Sequence, residues 1–537
     1  KKVGGISSST PLQDISYNYN IRGWMTKIND PANLNGKLFG YEIKYNQVEG
    51  EQTPDPFDTN LKVLPKYNGN IAEVDWRTNT TSGDYLRRYG YVYDRLNRLS
   101  AGFYQRDDHP SANEYFEKIA YDLNGNITNL KRTASLEGNT TAGLIDNLTY
   151  AYFNNNSSNR LRPVTDSSTD YRGYPETSGV EIGYDDNGNM TSQEDKGILQ
   201  IDYNFLNLPD YMKFKQGLAL RSGIVRENTI YLYRADGTKL RKTYNYAPPN
   251  PLGTINELST KLTEYLDSFQ YESKAIGRKG SAVLTLSFVP TAEGYYNFEN
   301  NKYIYNYADH LGNTRLSYFN NGSSVEVLEE NNYYPFGLKH EGYNALAGNS
   351  AYQYKFQGQE LQETGWYSFK WRNYMPDVGR FFNIDPLAEK YEDYTPYQFS
   401  SNQPVHGREI EGLENANDLN KKQEARLRAV SDKKVQSYAA EAKRNFGNVF
   451  NGILSVKPKF GALGGEAGVT LGPLKGHVGG AVAKVEGSVN TQKPSANIKA
   501  EGLAIEGSLG IKKAKIEGSA AAISMEGEGT IKNGKPS

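Results

Sequence analysis

No cysteine occurs among the 537 residues, which removes disulfides, thiolate metal sites and thiol nucleophiles together. Net charge is almost absent as well: 61 basic residues face 62 acidic ones, a formal charge of -1. That balance supplies no global pull toward nucleic acid or anionic lipid, so no nucleic-acid binding is expected of the main body. Long apolar runs are missing too. With a mean hydropathy of -0.71, nothing approaches the ~18 residues that a spanning helix needs. The five histidines, His109, His310, His340, His406 and His477, lie far apart and form no HExxH, so they offer no metal-ligand spacing. A GxxxxGKS/T phosphate cradle is also lacking. Neither a cofactor nor a metal is expected. The chain opens with Lys1-Lys2, without an initiator Met or an apolar signal core, so an export signal is expected upstream.

Tyrosine and glycine are abundant. There are 42 Tyr against 20 Phe and 4 Trp, with 53 Gly and only 37% hydrophobic residues. A helical core would lean on Leu and Ala; a Tyr/Asn/Gly/Thr-rich chain points to a large antiparallel sheet, with rings packed across strands and Asn and Gly in the turns. From residue 15 to about 320 one pattern returns: an alternating strand carrying Tyr, a tight polar turn, a second strand. Ile119–Leu130 (IAYDLNGNITNL), Ile182–Thr191 (IGYDDNGNMT) and Tyr231–Arg241 (YLYRADGTKLR) are examples. Asn124-Gly125, Asn187-Gly188 and Asp236-Gly237 suit the positive φ of two-residue hairpins. Isolated hairpins are marginal, so the series is expected to form one coiling ribbon in which each hairpin bonds to the last.

These Tyr-Asp…Gly-Asn…Thr hairpins resemble the YD repeats of RHS-repeat proteins. The segment that follows is similar to the RHS repeat-associated core domain. It carries Asp309-His310-Leu311-Gly312-Asn313-Thr314-Arg315, Asn332-Tyr333-Tyr334-Pro335-Phe336-Gly337 and Tyr354-Lys355-Phe356-Gln357-Gly358-Gln359-Glu360. Trp371-Arg372-Asn373-Tyr374-Met375-Pro376-Asp377-Val378-Gly379-Arg380-Phe381 and Asp385-Pro386-Leu387 continue it. The resemblance covers roughly residues 15 to 414. It implies a mainly β fold: a spiralling antiparallel hairpin ribbon forming a hollow cocoon around a C-terminal effector segment, closed at one end by a plug-like core domain. In such proteins the core can cut the chain just after itself.

Composition shifts beyond that point. From about Asn415 to Phe446 the chain is rich in Lys, Arg, Glu and Ala, and Leu427, Val430, Val435, Tyr438 and Ala442 follow a three-to-four spacing, the mark of one amphipathic helix. Past Gly447 a short phrase repeats, as Val485-Glu486-Gly487-Ser488, Ile505-Glu506-Gly507-Ser508 and Ile516-Glu517-Gly518-Ser519. This predicts a second, Gly-rich β repeat. The expected organisation is a YD-repeat β-shell over 1–300, a core domain for plugging and self-cleavage over 301–414, a helical linker over 415–450 and a variable C-terminal segment over 451–537.

The core segment carries the chemistry. By the resemblance, self-cleaving cores hold one acid in an Asp-Pro motif and another in a closing Asp-Pro-x-Gly-Leu, with the cut after that Leu. Asp385-Pro386-Leu387 matches the first motif. Glu409-Ile410-Glu411-Gly412-Leu413 stands at the closing position, so the expected scissile bond joins Leu413 to Glu414. Asp385 is one expected acid and Glu409 the second, with Glu411 and Asp393 as alternatives. Two carboxylates sharing a proton can activate water and polarise a peptide carbonyl. Equally, Asp385 can cap a turn before Pro386 and the segment can be a structural plug.

Three functional readings follow. One is a shell that encloses its own C-terminal segment as toxin-like cargo, serving export and interbacterial competition, with secretion machinery and an immunity protein as partners. Another is a cell-surface adhesin or glycan-binding protein on the same ribbon. The third is an aspartyl-type autoprotease acting on its own chain. A secreted or cell-surface bacterial location is expected in each case.

Overall fold

The computed structural model divides into two compact units, Lys1–Ala416 and Asn417–Ser537. It describes residues 1–416 apart from 6–8, 81–83, 136–141, 171, 176, 221–222, 248–256, 276–282, 342–347 and 349–351; beyond 416 it describes the backbone of strands between 454 and 531. Strands dominate the described residues, and helix is limited there to a few single turns. The mainly β, antiparallel class expected from the tyrosine-rich alternation is the class observed.

In the first unit, ten strands from Tyr17–Tyr19 to Leu161–Asp166 form one sheet in which every strand bonds to its neighbour in sequence. Eleven more, from Ile198–Tyr203 to Val325–Glu330, form a second sheet of the same kind. The pairing registers are antiparallel, as in the pairs Val74↔Tyr89 and Tyr305↔Tyr318. This is the serial hairpin ribbon that the repeats predict.

The Tyr-Asp pair does two jobs in that ribbon. Asp94, Asp122 and Asp185 each donate their N–H to the carbonyl four residues on, at 2.9 Å in all three loops. Their carboxylates accept from the N–H of that same residue, Arg98, Asn126 and Asn189, at 2.9, 2.9 and 2.7 Å. Only the third loop residue is left-handed: Asn97 at φ 63°, Gly125 at 84° and Gly188 at 89°. A register shift follows each loop. These are three-residue loops with a bulge rather than the two-residue turns expected from Asn-Gly, because the Asp side chain holds a single-turn geometry that needs one left-handed residue, not two. The tyrosine reaches backward. Tyr93 and Tyr121, together with Tyr152 and Tyr233, which no Asp follows, donate their hydroxyls to the carbonyls of Ile71, Leu99, Ile127 and Pro209, at 2.8, 2.8, 2.7 and 3.0 Å. Each phenol thus ties its hairpin to an earlier one through a backbone acceptor.

Rings from both sheets and from residues 333–405 share one apolar core, including Trp76, Tyr89, Tyr318, Phe336, Phe356, Trp366, Phe381 and Phe399. Buried polar groups pin that later segment to the ribbon. Arg132, fully buried, pairs with Glu117 at 2.7 Å and Asp146 at 3.1 Å, and donates to the carbonyls of Pro376 and Asp377 at 2.8 and 2.6 Å. Tyr334 donates to the Thr133 carbonyl at 2.6 Å. Two histidines serve structure: His310 bridges the Tyr41 hydroxyl and the Val405 carbonyl, and His340 stacks on Tyr115 with centroids 4.1 Å apart.

The second unit, taken by itself, holds a five-stranded and a three-stranded antiparallel sheet. Two copies of the repeated phrase face each other there, with Gly507 opposite Gly518 and Glu506 opposite Ser519. The Gly-rich β segment is therefore present. The helix expected over 415–450 falls almost wholly outside the described residues.

Candidate functional site

Three of the phrases that carry the resemblance meet in space. The Asn313 side chain accepts from the Gln357 N–H at 2.8 Å, and the Gln357 side chain accepts from the Glu409 N–H at 2.8 Å. Gln357 takes a left-handed φ of 50°, which turns the backbone so that both bonds can form. The closing stretch is a small hairpin, with Glu409 opposite Asn415 and Ile410 opposite Glu414. Glu411 and Gly412 form its tip at φ 55° and 77°, and the Leu413 N–H donates to the Ile410 carbonyl at 2.9 Å.

Arg372 is the hub. It ends the turn that joins the paired strands Tyr367–Ser368 and Asn373–Met375, and its guanidinium lies 3.9 Å from the centroid of the Phe381 ring. Its Nη2 is 3.0 Å from Asp385 Oδ2 and 3.5 Å from Glu409 Oε1. Its Nε donates to the Gly412 carbonyl, and its Nη1 to the Pro396 carbonyl at 3.2 Å. All three charged side chains are buried. One guanidinium therefore gathers the Asp-Pro acid, the closing acid and the hairpin tip.

The two acids are held differently. Asp385 Oδ1 accepts the Leu387 N–H at 2.7 Å, capping the turn before the helical turn Ala388–Lys390, while Oδ2 meets Arg372. Both roles weighed for this residue, turn cap and acid, are thus present in one carboxylate. Glu409 Oε2 accepts the Ser400 N–H at 2.9 Å. Burial pushes the Glu409 carboxyl up to about 7, against the opposing pull of Arg372 and the Ser400 N–H. Burial likewise raises Asp385, again opposed by Arg372, and the charge of Glu414 adds to the rise. A buried acid raised in this way, beside a second carboxylate on a shared cation, can exchange protons near neutral pH.

The other expected residues lie apart from this pair. Glu411 is exposed and faces Lys370 Nζ at 3.4 Å and Trp371 Nε1 at 3.3 Å. Asp393 is exposed on the following loop. Leu413 is half-buried, and the Glu414 carboxylate is bonded to Lys390 and to the Tyr391 hydroxyl. Arg372 did not figure among the expected site residues, although it stands in a quoted phrase; an arginine set among aromatic strand residues was its one signal. Elsewhere among the described residues, Glu49, Glu73 and Asp75 converge closely enough to share an ion. Lys44 Nζ already sits 2.9 Å from Glu73 and 2.6 Å from Asp75, with Arg88 Nε 2.7 Å from Asp75, so the chain supplies its own cations.

No family model matches the chain. A stretch of 111 residues is 39% identical to Salivary gland surface protein 1 of Aedes aegypti; it amounts to 20% of this chain and 3% of that protein. Among solved structures, the crystal structure of TcdB2-TccC3-Cdc42 is similar at 16% identity and a TM-score of 0.48, over 76% of this chain and 20% of that one. A mutant Photorhabdus luminescens Tc holotoxin pore is similar at 14% identity and a TM-score of 0.45, over 75% of this chain and 19% of that one. The chain thus spans a small fraction of each of these three proteins.

Proposed function

We propose that the first unit is an RHS-type shell, a YD-repeat wall over 1–300 closed by a core domain over 301–414, and that it cuts its own chain between Leu413 and Glu414. The observation that carries the reading is the convergence of Asp385 and Glu409 on Arg372 beside the hairpin holding that bond. The division between the two units falls just after it, at Ala416/Asn417. In the proposed step, Asp385 takes a proton from water as its oxygen attacks the Leu413 carbonyl. The protonated Glu409 polarises that carbonyl, the C–N bond breaks, and the proton passes to the Glu414 nitrogen. Residues beyond the cut are the released but enclosed toxin-like cargo of an exported bacterial protein. Secretion machinery and an immunity protein would be its partners.

Intact-mass measurement of the full chain tests the cut. Two fragments, the second beginning at Glu414, are expected in the wild type, and one unbroken chain in Asp385→Asn and Glu409→Gln. An unbroken wild-type chain removes self-cleavage. Enclosure is tested separately: the segment after residue 414 should resist added protease until the protein is denatured, and its immediate digestion in the native state would refute the container. A second reading, a surface adhesin that binds glycans, draws support from the stretch shared with a protein described as a surface protein.

A further inference from the structure

The Leu413–Glu414 bond is braced on both sides. Before it, Arg372 Nε holds the Gly412 carbonyl, and the Leu413 N–H donates to the Ile410 carbonyl at 2.9 Å. After it, three residues in a row are tied down. The Glu414 carboxylate accepts from the Lys390 ammonium and the Tyr391 hydroxyl. The buried Asn415 amide donates to the Ser400 carbonyl and hydroxyl, each at 2.9 Å. The Ala416 N–H donates to the Arg408 carbonyl at 2.8 Å. Gly407 leaves room for the Asn415 amide, since an added Cβ there would collide with it.

The grip on Glu414 is not a loose surface pair. Its side chain is 10% exposed, Tyr391 is buried, and Lys390 Nζ lies 5.0 Å from the Tyr391 ring centroid. An exposed ion pair gains little, whereas a largely buried carboxylate with one cationic and one neutral donor is held in one orientation. Both donors come from the turn that begins at Asp385. There the Asp385 carbonyl accepts the Ala388 N–H at 3.0 Å, and the N–H groups of Lys390 and Tyr391 donate to the carbonyls of Leu387 and Ala388 at 2.9 and 3.2 Å. One short turn therefore aims the proposed base at its start and grips the residue after the bond at its end.

We infer that Lys390 and Tyr391 are positioning residues for self-cleavage, and that Glu414 determines its specificity on the leaving side: the segment joined after Leu413 must begin with an acid of glutamate's reach. This rests on the self-cleavage reading. The reaction is the hydrolysis already written, in which water adds to the Leu413 carbonyl, the C–N bond breaks and the proton goes to the Glu414 nitrogen. Holding Glu414 restricts rotation of the peptide plane, which attack from one side by a water activated at Asp385 requires. The grip also acts on that acid. The charged groups around Asp385 are Arg372, Glu409, Glu414 and Lys390; burial raises its carboxyl, Arg372 and Lys390 oppose the rise, and Glu414 adds to it.

The test follows the full chain made by cell-free translation, with the fraction cut read from gels over time in buffers from about pH 5 to about pH 8. Glu414→Lys and Lys390→Glu should each slow the cut about tenfold or more, and the two together should restore it. A merely structural role would not move the pH profile. Glu414→Gln should shift its acid limb to lower pH and Lys390→Met to higher pH, because the first removes a charge that raises Asp385 and the second one that lowers it. A wild type that is cut, with both charge reversals cut at its rate, overturns this inference and leaves the cleavage reading standing. Slowed reversals that the exchange does not rescue, or an acid limb unmoved in the other two variants, would each overturn it as well. An unbroken wild type removes the cleavage reading and this inference together.

Discussion

Replacing Glu409 by Gln keeps the shape of the side chain and removes its proton chemistry, so it isolates the effect of burying this acid. The folded carboxyl titrates at about 7 against an ordinary 4.5. Above 4.5 the unfolded chain gives up the proton while the folded chain keeps it, so the unfolded state binds fewer protons. Stability from this group is therefore fully present below about 4.5 and is lost as the pH rises to about 7. The loss is roughly 3 kcal/mol, at about 1.4 kcal/mol per pH unit. Arg372 does not cancel it, because that guanidinium is shared with Asp385 at the shorter distance, 3.0 against 3.5 Å. Glu409→Gln lacks this slope. Thermal unfolding of both proteins at pH 5 and pH 8, with chain integrity checked by mass, should show the variant gaining a few degrees on the wild type between the two conditions. A difference that stays constant with pH, or reverses, would refute a buried proton at Glu409.

Other consequences follow from the ribbon and its filling. Tyr121→Phe removes the hydroxyl bond to the Leu99 carbonyl while leaving Arg98 on the ring; chemical denaturation should show a loss of about 1 kcal/mol. At Gly337, φ is 89° and an added Cβ would lie 2.6 Å from Phe356 Cε1. Gly337→Ala should therefore cost roughly 3 kcal/mol by the same assay, from backbone strain and overpacking together. Ending the chain after Glu330 removes Phe336, Phe356, Trp366, Tyr374, Phe381 and Phe399 from the core, burial worth roughly 10 kcal/mol. That is comparable to the whole stability of a domain, so the truncated ribbon should bind hydrophobic dyes and lack a cooperative thermal transition.

The strand ribbon was legible because its contacts are local. Alternating Tyr, Asp and Gly specify one hairpin at a time, and each hairpin pairs with the next. The loop type was less so: Asn-Gly suggests a two-residue turn, and the carboxylate that selects a three-residue loop acts through hydrogen bonds a residue pattern does not display. At the site, Asp385 and Glu409 were readable from their motifs, but their common partner was not. Glu411 illustrates the limit. Two residues beyond Glu409, it would share a face on a straight strand. The left-handed tip at Glu411 and Gly412 breaks that alternation and swings it toward Lys370.

What joins the legible parts is non-local and polar. The Asn313 to Gln357 to Glu409 relay spans 44 and then 52 residues, distances over which no periodicity can speak. It sets the closing hairpin beside Arg372, and the hairpin in turn hands Arg372 its Gly412 carbonyl. The acid pair and the bond proposed for cutting are thus positioned by the same few residues. Cleavage between Leu413 and Glu414 would sever the hairpin whose pairing of Ile410 with Glu414 helps hold the site. If that bond is cut, a centre assembled from its own substrate would act once, which is the behaviour a processing step requires.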